Sequence, residues 1–600
     1  MAKGDNKQGN SRANMNSYKK LNFLLSRKQK IKILLLLVPV SIGSLANIFG
    51  IALIMPLLAL MSDPSLATSN PKFKFVYELC GFHDVFTYVV ATGVASFIMV
   101  VVNSFFSIYT IWKSSEVVQE VKSSLTKVMY ERYLKKPYSY FLMRNSSSLI
   151  SNLFVLIPNV SEKYVLPGIE IISGLISSLT VASFIVFVNP VIASIISFGF
   201  GGSYFLIFKY LKKRMVENGK RIVQINDSMV KQANETFGGI KDIKIRQNEG
   251  HFIASLSAKL QEKAKKSSYN YAMSHTPKYI LDLLAFGGIV LAIVIVYSMG
   301  HQVQKMIPLL AMYVYAGYRV MPSLQKIFYG MSSVKSASAD VDQIYSSIHD
   351  CDLEEMDNSK SKKDITIPFK HSFLMKKLSF SYPNSEKKVL DSIDFRVDKN
   401  EVVGVIGKTG AGKTTLIDVL LGLLNPVSGK IVVDNTTIVN KAQQSAWKKK
   451  VGYVPQNIYL CDASIKENIA FGELKDKIND LKVKECAKMA SISSFIETEL
   501  PDRYETKVGE RGVRLSGGQV QRIGIARALY RDPSFIVLDE ATSALDGVTE
   551  SDVMSSIYKM KRKVTMVVIA HRLSTLQSCD RVYELKEGRL LETDSCFKDS

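Results

Sequence analysis

The sequence predicts a two-part chain, an α-helical six-span transmembrane domain followed by an α/β nucleotide-binding domain of the P-loop class. Three observations predict it. Residues 31–330 hold long apolar runs while 366–600 read as an ordinary soluble mixture of strands and helices, so the mean hydropathy of the whole chain is only +0.09. The segment Gly407-Lys408-Thr409-Gly410-Ala411-Gly412-Lys413-Thr414 fits the phosphate-binding pattern G-x-x-x-x-G-K-[ST]. The stretch Leu515-Ser516-Gly517-Gly518-Gln519 is followed about twenty residues later by the apolar run Phe535-Ile536-Val537-Leu538, which ends in Asp539-Glu540. A buried strand that ends in carboxylates delivers them to the C-terminal edge of a sheet, where open α/β sheets bind ligands.

Six hundred residues exceed the reach of one core, so several segments are expected: a basic cytoplasmic tail at 1–30, a membrane domain at 31–330, a linker at 331–365 and the nucleotide-binding domain at 366–600. The formal charge of +23 invites a nucleic-acid reading. The tail answers it differently, because Lys3, Lys7, Arg12, Lys19, Lys20, Arg27, Lys28 and Lys30 stand against Asp5 alone just before the first apolar run. That is the positive-inside pattern of a cytoplasmic N-terminus beside anionic lipid, and no nucleic-acid partner is expected. The run Ile31–Ser62 is too long for a cleavable signal, so insertion by an uncleaved first helix is expected. The six cysteines contain no C-x-x-C pair, which argues against a zinc site or a disulfide framework.

Six spans are placed at about 31–60, 85–112, 165–188, 191–211, 277–298 and 306–328, each meeting the roughly 20 residues that a bilayer requires. The external segment 70–84 reads either as a short amphipathic helix or as an ordered polar loop. The cytoplasmic connections, about 113–164 and 212–276, read as helical hairpins, each with a break. The first break is at Pro137, within Lys136-Pro137-Tyr138-Ser139-Tyr140-Phe141, since proline cannot extend the preceding helix. The second is at the pair Gly238-Gly239.

Charges inside spans are costly and therefore informative. Asp282 in span five and Arg319 in span six lie at similar depth, roughly 20–30 Å from the external turn near Gly300 at 1.5 Å per helical residue. The favoured expectation is that they pair. The alternative is that Arg319 lines the transport cavity and meets an anionic head group.

The phosphate pattern sits between the strand-like Val402–Ile406 and the helical Thr415–Leu423, the context it needs. Its glycines let successive N–H groups point at a polyphosphate, and the helix N-terminus adds its positive dipole end. Lys413 would reach the β and γ phosphates of ATP, and the Thr414 hydroxyl would ligate Mg²⁺. Together with Tyr382, Gln456, Ser543-Ala544-Leu545-Asp546 and His571, the ordered set over about 366–595 resembles the nucleotide-binding domain of the ATP-binding-cassette (ABC) transporters.

The resemblance implies roles by position. Gly407 to Thr415 hold the phosphates, Tyr382 stacks on adenine, and Gln456 and Asp539 join Thr414 at the metal. Glu540 orients and deprotonates the attacking water while His571 contacts the γ-phosphate. Asp546 is a further ATP-binding residue, and Ser516, Gly517, Gly518 and Gln519 complete the ATP site of a second cassette, which implies a homodimer of two identical subunits. Pro137, Tyr138 and Tyr140, and Gly238 and Gly239, fall in segments similar to coupling helices; Glu510 matches a stretch that exporters use for the same purpose.

Within the exporters, Ile54-Met55-Pro56-Leu57, the segment 70–84, Tyr318-Arg319-Val320-Met321-Pro322-Ser323 and Val454–Leu460 look similar to the lipid-linked oligosaccharide flippases of bacterial protein glycosylation. That likeness implies an amphipathic lipid-linked substrate moved among membrane lipids to the outer face. A lipid A-type or multidrug exporter shares the same engine. A peptide exporter is less favoured, and a non-transporting ATPase of the cassette family would lack the apolar runs.

Overall fold

The computed structural model of the chain describes residues 20, 23–188, 190–283, 307–355, 366–383, 387–509, 512–540, 563–570 and 576–593, with isolated positions between them. They form two compact units, one of Met1–Lys136 and Phe141–Glu354, the other of Pro137–Tyr140 and Glu355–Ser600.

The first unit is helical. Helix α1 (Arg27–Leu35) starts at a capping box, in which Ser26 Oγ accepts from the Gln29 N–H at 3.3 Å and the Gln29 side chain accepts from the Ser26 N–H at 2.9 Å. Helices α2 (Leu37–Ser62) and α4 (Val85–Leu134) lie alongside each other. Between them α3 (Pro71–Leu79) packs Phe73 and Tyr77 with Leu60, Phe82 and Tyr88, so the external segment takes the helical of its two expected forms. Proline opens this helix at no cost, because its missing N–H falls where no intrahelical partner exists.

Phe97, Phe105 and Ile108 on α4 are each more than 60% exposed, a face that suits hydrocarbon rather than water. Among the described residues three helical stretches are long and apolar enough to cross a membrane, Arg27–Met61, Val85–Leu134 and Ser146–Val188. The third passes through two π-helical turns, Asn152–Leu156 and Ser161–Val165, on either side of Pro158. It then continues as α6 (Leu166–Val188). The missing proline N–H and its ring account for this local unwinding.

Helix α7 (Pro190–Gly238) covers the fourth expected span. The breaks stand where proline and the glycine pair put them. After Pro137 comes the short α5 (Tyr138–Leu142), and after Gly239 comes α8 (Ile240–Arg246), closed by Gln247 at φ +52°. Helix α9 (Glu249–Asp282) enters the fifth expected span, most of which lies outside the described residues, and α10 (Ile307–Ser336) covers the sixth. Helices α6 and α10 pack closely through glycines, since a Cβ on Gly174 would come within 2.7 Å of the Ser323 carbonyl and one on Gly330 within 2.6 Å of Ile171.

The stretch expected to be a linker at 331–365 is helical as far as Glu355: its first residues extend α10, and α11 (Ser338–Glu355) follows. Tertiary partners explain the difference. Lys20 Nζ meets Asp342 at 2.9 Å, Phe23 stacks edge-on to Tyr345, and Gln343 donates to Asn152 at 3.2 Å. Asp340 on α11 is only 4% exposed, and burial pushes its carboxyl up to about 6, with Lys163 and Asn159 opposing and Asp227 adding to the rise.

A carboxyl that holds its proton more tightly when folded stabilises most below its ordinary value near 3.8 and loses that contribution as pH rises to about 6. Asp340→Asn is therefore expected to raise the Tm above pH 6. Its advantage over wild type should shrink by about 1–1.5 kcal/mol between pH 7.5 and 5, as thermal melting at both pH values would report.

The second unit holds two sheets. One is antiparallel, in the order β2 (Leu390–Asp398), β1 (Ser372–Phe380), β4 (Ser428–Val433), β5 (Thr436–Thr437). The other runs β10 (Arg589–Thr593), β9 (Arg581–Lys586), β3 (Val402–Ile406), β8 (Thr565–Ile569), β7 (Phe535–Asp539), β6 (Val451–Val454), parallel except for the β9–β10 hairpin. Strands β7 and β8 are buried at every position, as strands covered on both faces must be. An aromatic cluster of Phe369, Phe373, Trp447 and Phe535 fills the core beside β7, and the indole N–H finds the Leu420 carbonyl at 2.9 Å.

Candidate nucleotide site

Strand β3 runs into the phosphate loop, and helix α12 (Lys413–Leu420) leaves it. Two glycines are required by geometry. A Cβ on Gly407 would lie 2.5 Å from the Leu585 carbonyl, and Gly412 sits at φ +104°. Lys408, Thr409 and Gly410 are exposed at the loop crest, with Ala411 half-buried behind them. Lys413 turns back so that Nζ donates to the Gly407 carbonyl at 2.7 Å and stands 3.7 Å from Glu540 Oε1. Thr414 is exposed at the first turn of α12. Thr415 is buried, its hydroxyl 3.0 Å from the Tyr382 hydroxyl.

Strand β7 carries Asp539 to the sheet edge, and the chain then turns sharply at Glu540, whose φ of +48° is the left-handed region that a glutamate seldom adopts. The Glu540 N–H donates to the Ile569 carbonyl at 3.0 Å, and Gln456 Nε2 donates to Glu540 Oε2 at 2.6 Å. Burial raises the Asp539 carboxyl above its ordinary value; the Glu540 charge adds to that, and the Tyr453 hydroxyl and Lys413 oppose it.

Thr414, Gln456 and Asp539 offer a hydroxyl, an amide and a carboxylate. Because the Gln456 nitrogen is committed to Glu540, its oxygen remains for a cation. This hard-oxygen set, beside acids that one lysine only partly neutralises, fits Mg²⁺.

Two residues that spacing did not single out complete the site. Asp418 on α12 is 7% exposed, and burial followed by the Asp539 charge pushes its carboxyl up to about 6. Tyr453 on β6 donates its hydroxyl to Asp539 Oδ2 at 3.3 Å, its own ionisation pushed up by burial and by Asp539 and Asp418. An acid on an apolar helix face and a phenol on a half-buried strand were the available signals.

Of the expected coupling residues, Pro137, Tyr138 and Tyr140 belong to the same compact unit as the phosphate loop. Burial raises the Tyr138 phenol, and the Asp418 charge adds to the rise. Gly238 and Gly239 belong to the helical unit. Ser516 caps helix α13 (Gly517–Leu529), its Oγ accepting from the Gln519 N–H at 3.3 Å and its N–H reaching Gln519 Oε1 at 2.8 Å. Ser516 and Gly517 are exposed and Gly518 and Gln519 half-buried; among the described residues no hydrogen bond joins them to the phosphate loop. Glu510, Asp546 and His571 lie outside the described residues.

In the membrane domain Arg319 does not pair with Asp282. Its Nε and Nη2 donate to the Tyr315 hydroxyl at 3.0 and 2.7 Å. With the Asn103 amide oriented to donate to the Gly43 carbonyl at 2.9 Å, the amide oxygen accepts from Arg319 Nη1 at 3.2 Å. Tyr315 lies one turn away on the same helix, and Asn103 comes from α4, so neutral partners within reach replace the expected acid.

A helical membrane domain joined to a P-loop domain with this site defines an ATP-driven membrane transporter. Residues 33–336 match the ABC transporter transmembrane region family and residues 390–543 the ABC transporter family. The chain belongs to the ABC transporters and is an ATP hydrolase coupled to transport, with an exporter fold.

It is 30% identical over 499 residues to the heterocyst differentiation ATP-binding protein HepA of Nostoc sp., covering 82% of this chain and 78% of that one. It is 27% identical over 513 residues to the ATP-dependent lipid A-core flippase of Alkalilimnicola ehrlichii, covering 84% of each. A solved bacterial Atm1-family ABC exporter with ATP bound superposes with a TM-score of 0.70 at 22% identity over 94% of each chain, a likeness of fold.

Proposed function

We propose that the chain works as a homodimer in the cell inner membrane, its cassette and N-terminus cytoplasmic. It uses ATP to move an anionic amphipathic lipid, a lipid-linked oligosaccharide or a related lipid, from the inner to the outer face. The observation that carries the substrate class is Arg319. Its hydrogen-bond partners are the neutral Tyr315 and Asn103, and among the described residues no acid bridges it. A guanidinium held in a membrane domain by neutral partners is suited to a phosphate group brought by the substrate.

The cassette residues act in sequence. Lys413, beside the Gly407 carbonyl and Glu540, is drawn to the more concentrated charge of the β and γ phosphates. Thr414, Gln456 and Asp539 would hold Mg²⁺, which when bound neutralises charge developing on the phosphates. Glu540, released from Lys413 and oriented by Gln456, takes a proton from the attacking water. Ser516 and the N-terminus of α13, exposed on their own subunit, face the nucleotide of the second one. Closure of the two cassettes moves the breaks at 137–140 and 238–239, and ATP drives this only through its preference for the closed state.

A lipid A-type substrate satisfies the same charge requirement, and the relatives named lipid A-core flippase favour it. ATPase activity of the purified dimer in lipid nanodiscs separates the two. Stimulation by a short polyprenyl-pyrophosphate oligosaccharide, and by neither lipid A nor drugs, supports the oligosaccharide lipid. Stimulation by lipid A alone transfers the assignment. Equal stimulation by uncharged drugs would remove the anionic-lipid reading.

A further inference from the structure

Tyr453 stands on the strand next to the one that ends in Asp539. In the parallel β6–β7 pair Tyr453 lies opposite Val537, and the period of two in a strand puts Val537 and Asp539 on one face. A phenol at that register extends along the sheet toward its C-terminal edge, and its hydroxyl meets Asp539 Oδ2 at 3.3 Å. The bond is not a packing accident, since phenylalanine would fill nearly the same volume without bringing a hydroxyl beside two buried acids, Asp418 and Asp539. A half-buried hydroxyl is tolerated when it donates, and a carboxylate is the acceptor it finds. A donor on Asp539 also stabilises its charge in this partly buried site.

We propose that Tyr453 is a positioning residue for the metal: its hydroxyl holds one oxygen of Asp539 and fixes the carboxylate plane, so that the other oxygen is presented to Mg²⁺. The inference rests on the reading of Asp539 as a metal ligand. Outer partners of this kind commonly change metal affinity by about 10–100-fold when removed.

The test is Mn²⁺ affinity, read by electron paramagnetic resonance on the full-length protein in nanodiscs loaded with a non-hydrolysable ATP analogue. Tyr453→Phe and Tyr453→Met are both expected to weaken Mn²⁺ by about 10-fold. Affinity for the analogue in EDTA should remain at the wild-type value. Asp539→Asn run alongside separates the two ideas. If Asp539→Asn weakens Mn²⁺ and neither tyrosine variant does, the role of Tyr453 is overturned and the ligand stands. If Asp539→Asn has no effect, the ligand assignment falls and the tyrosine role with it. Equal losses of analogue binding with and without metal in both tyrosine variants would mark Tyr453 as packing only.

Discussion

Glu540→Gln is expected to bind ATP with wild-type affinity and to lose steady-state hydrolysis by about 10²–10⁴-fold, the range by which a positioned general base accelerates a reaction. The amide keeps the shape and can still meet Gln456 and Lys413, whose contacts at 2.6 and 3.7 Å hold the side chain in place. It cannot accept the proton. Binding of a fluorescent ATP analogue and phosphate release on the same preparation check both halves, and turnover near wild type would remove Glu540 from its role. The strained φ of +48° stays in the variant, so a change in Tm is not expected.

Arg319→Ala is expected to weaken stimulation of the ATPase by the anionic lipid while leaving basal turnover in place. A charge-assisted hydrogen bond is worth about 1.5–3 kcal/mol, so the lipid concentration for half stimulation should rise by about 10–100-fold. Arg319→Lys should recover part of the loss, because it keeps the charge and gives up the planar fork. Asp282→Asn should be silent, since Asp282 is not a partner of Arg319. A lipid dose curve unchanged in Arg319→Ala would end the anionic-substrate reading, and an effect of Asp282→Asn equal to that of Arg319→Ala would restore the ion pair.

Much of the fold was legible because its signals are local. Pro137 and the pair Gly238-Gly239 break helices by backbone chemistry alone, and helices α5 and α8 follow them directly. The apolar run Phe535–Leu538 is a fully buried strand for the reason that predicted it. The segment 331–355 was less legible. Its polar, charged composition resembles a linker, but contacts from Lys20, Phe23 and Asn152, all far away in the chain, make it a helix.

The sequence by itself determined the class of protein, the order of its two parts and the residues of the phosphate loop, because phosphate binding demands glycines, a lysine and a hydroxyl at fixed spacing between a strand and a helix. Only the tertiary structure decided which neighbours those residues meet. Arg319 takes Asn103 from another helix instead of Asp282, and Asp539 takes Tyr453, 86 positions earlier in the chain. Such pairings depend on which helices pack and on the order and register of strands, here β6 beside β7, and long-range packing rather than local spacing sets both.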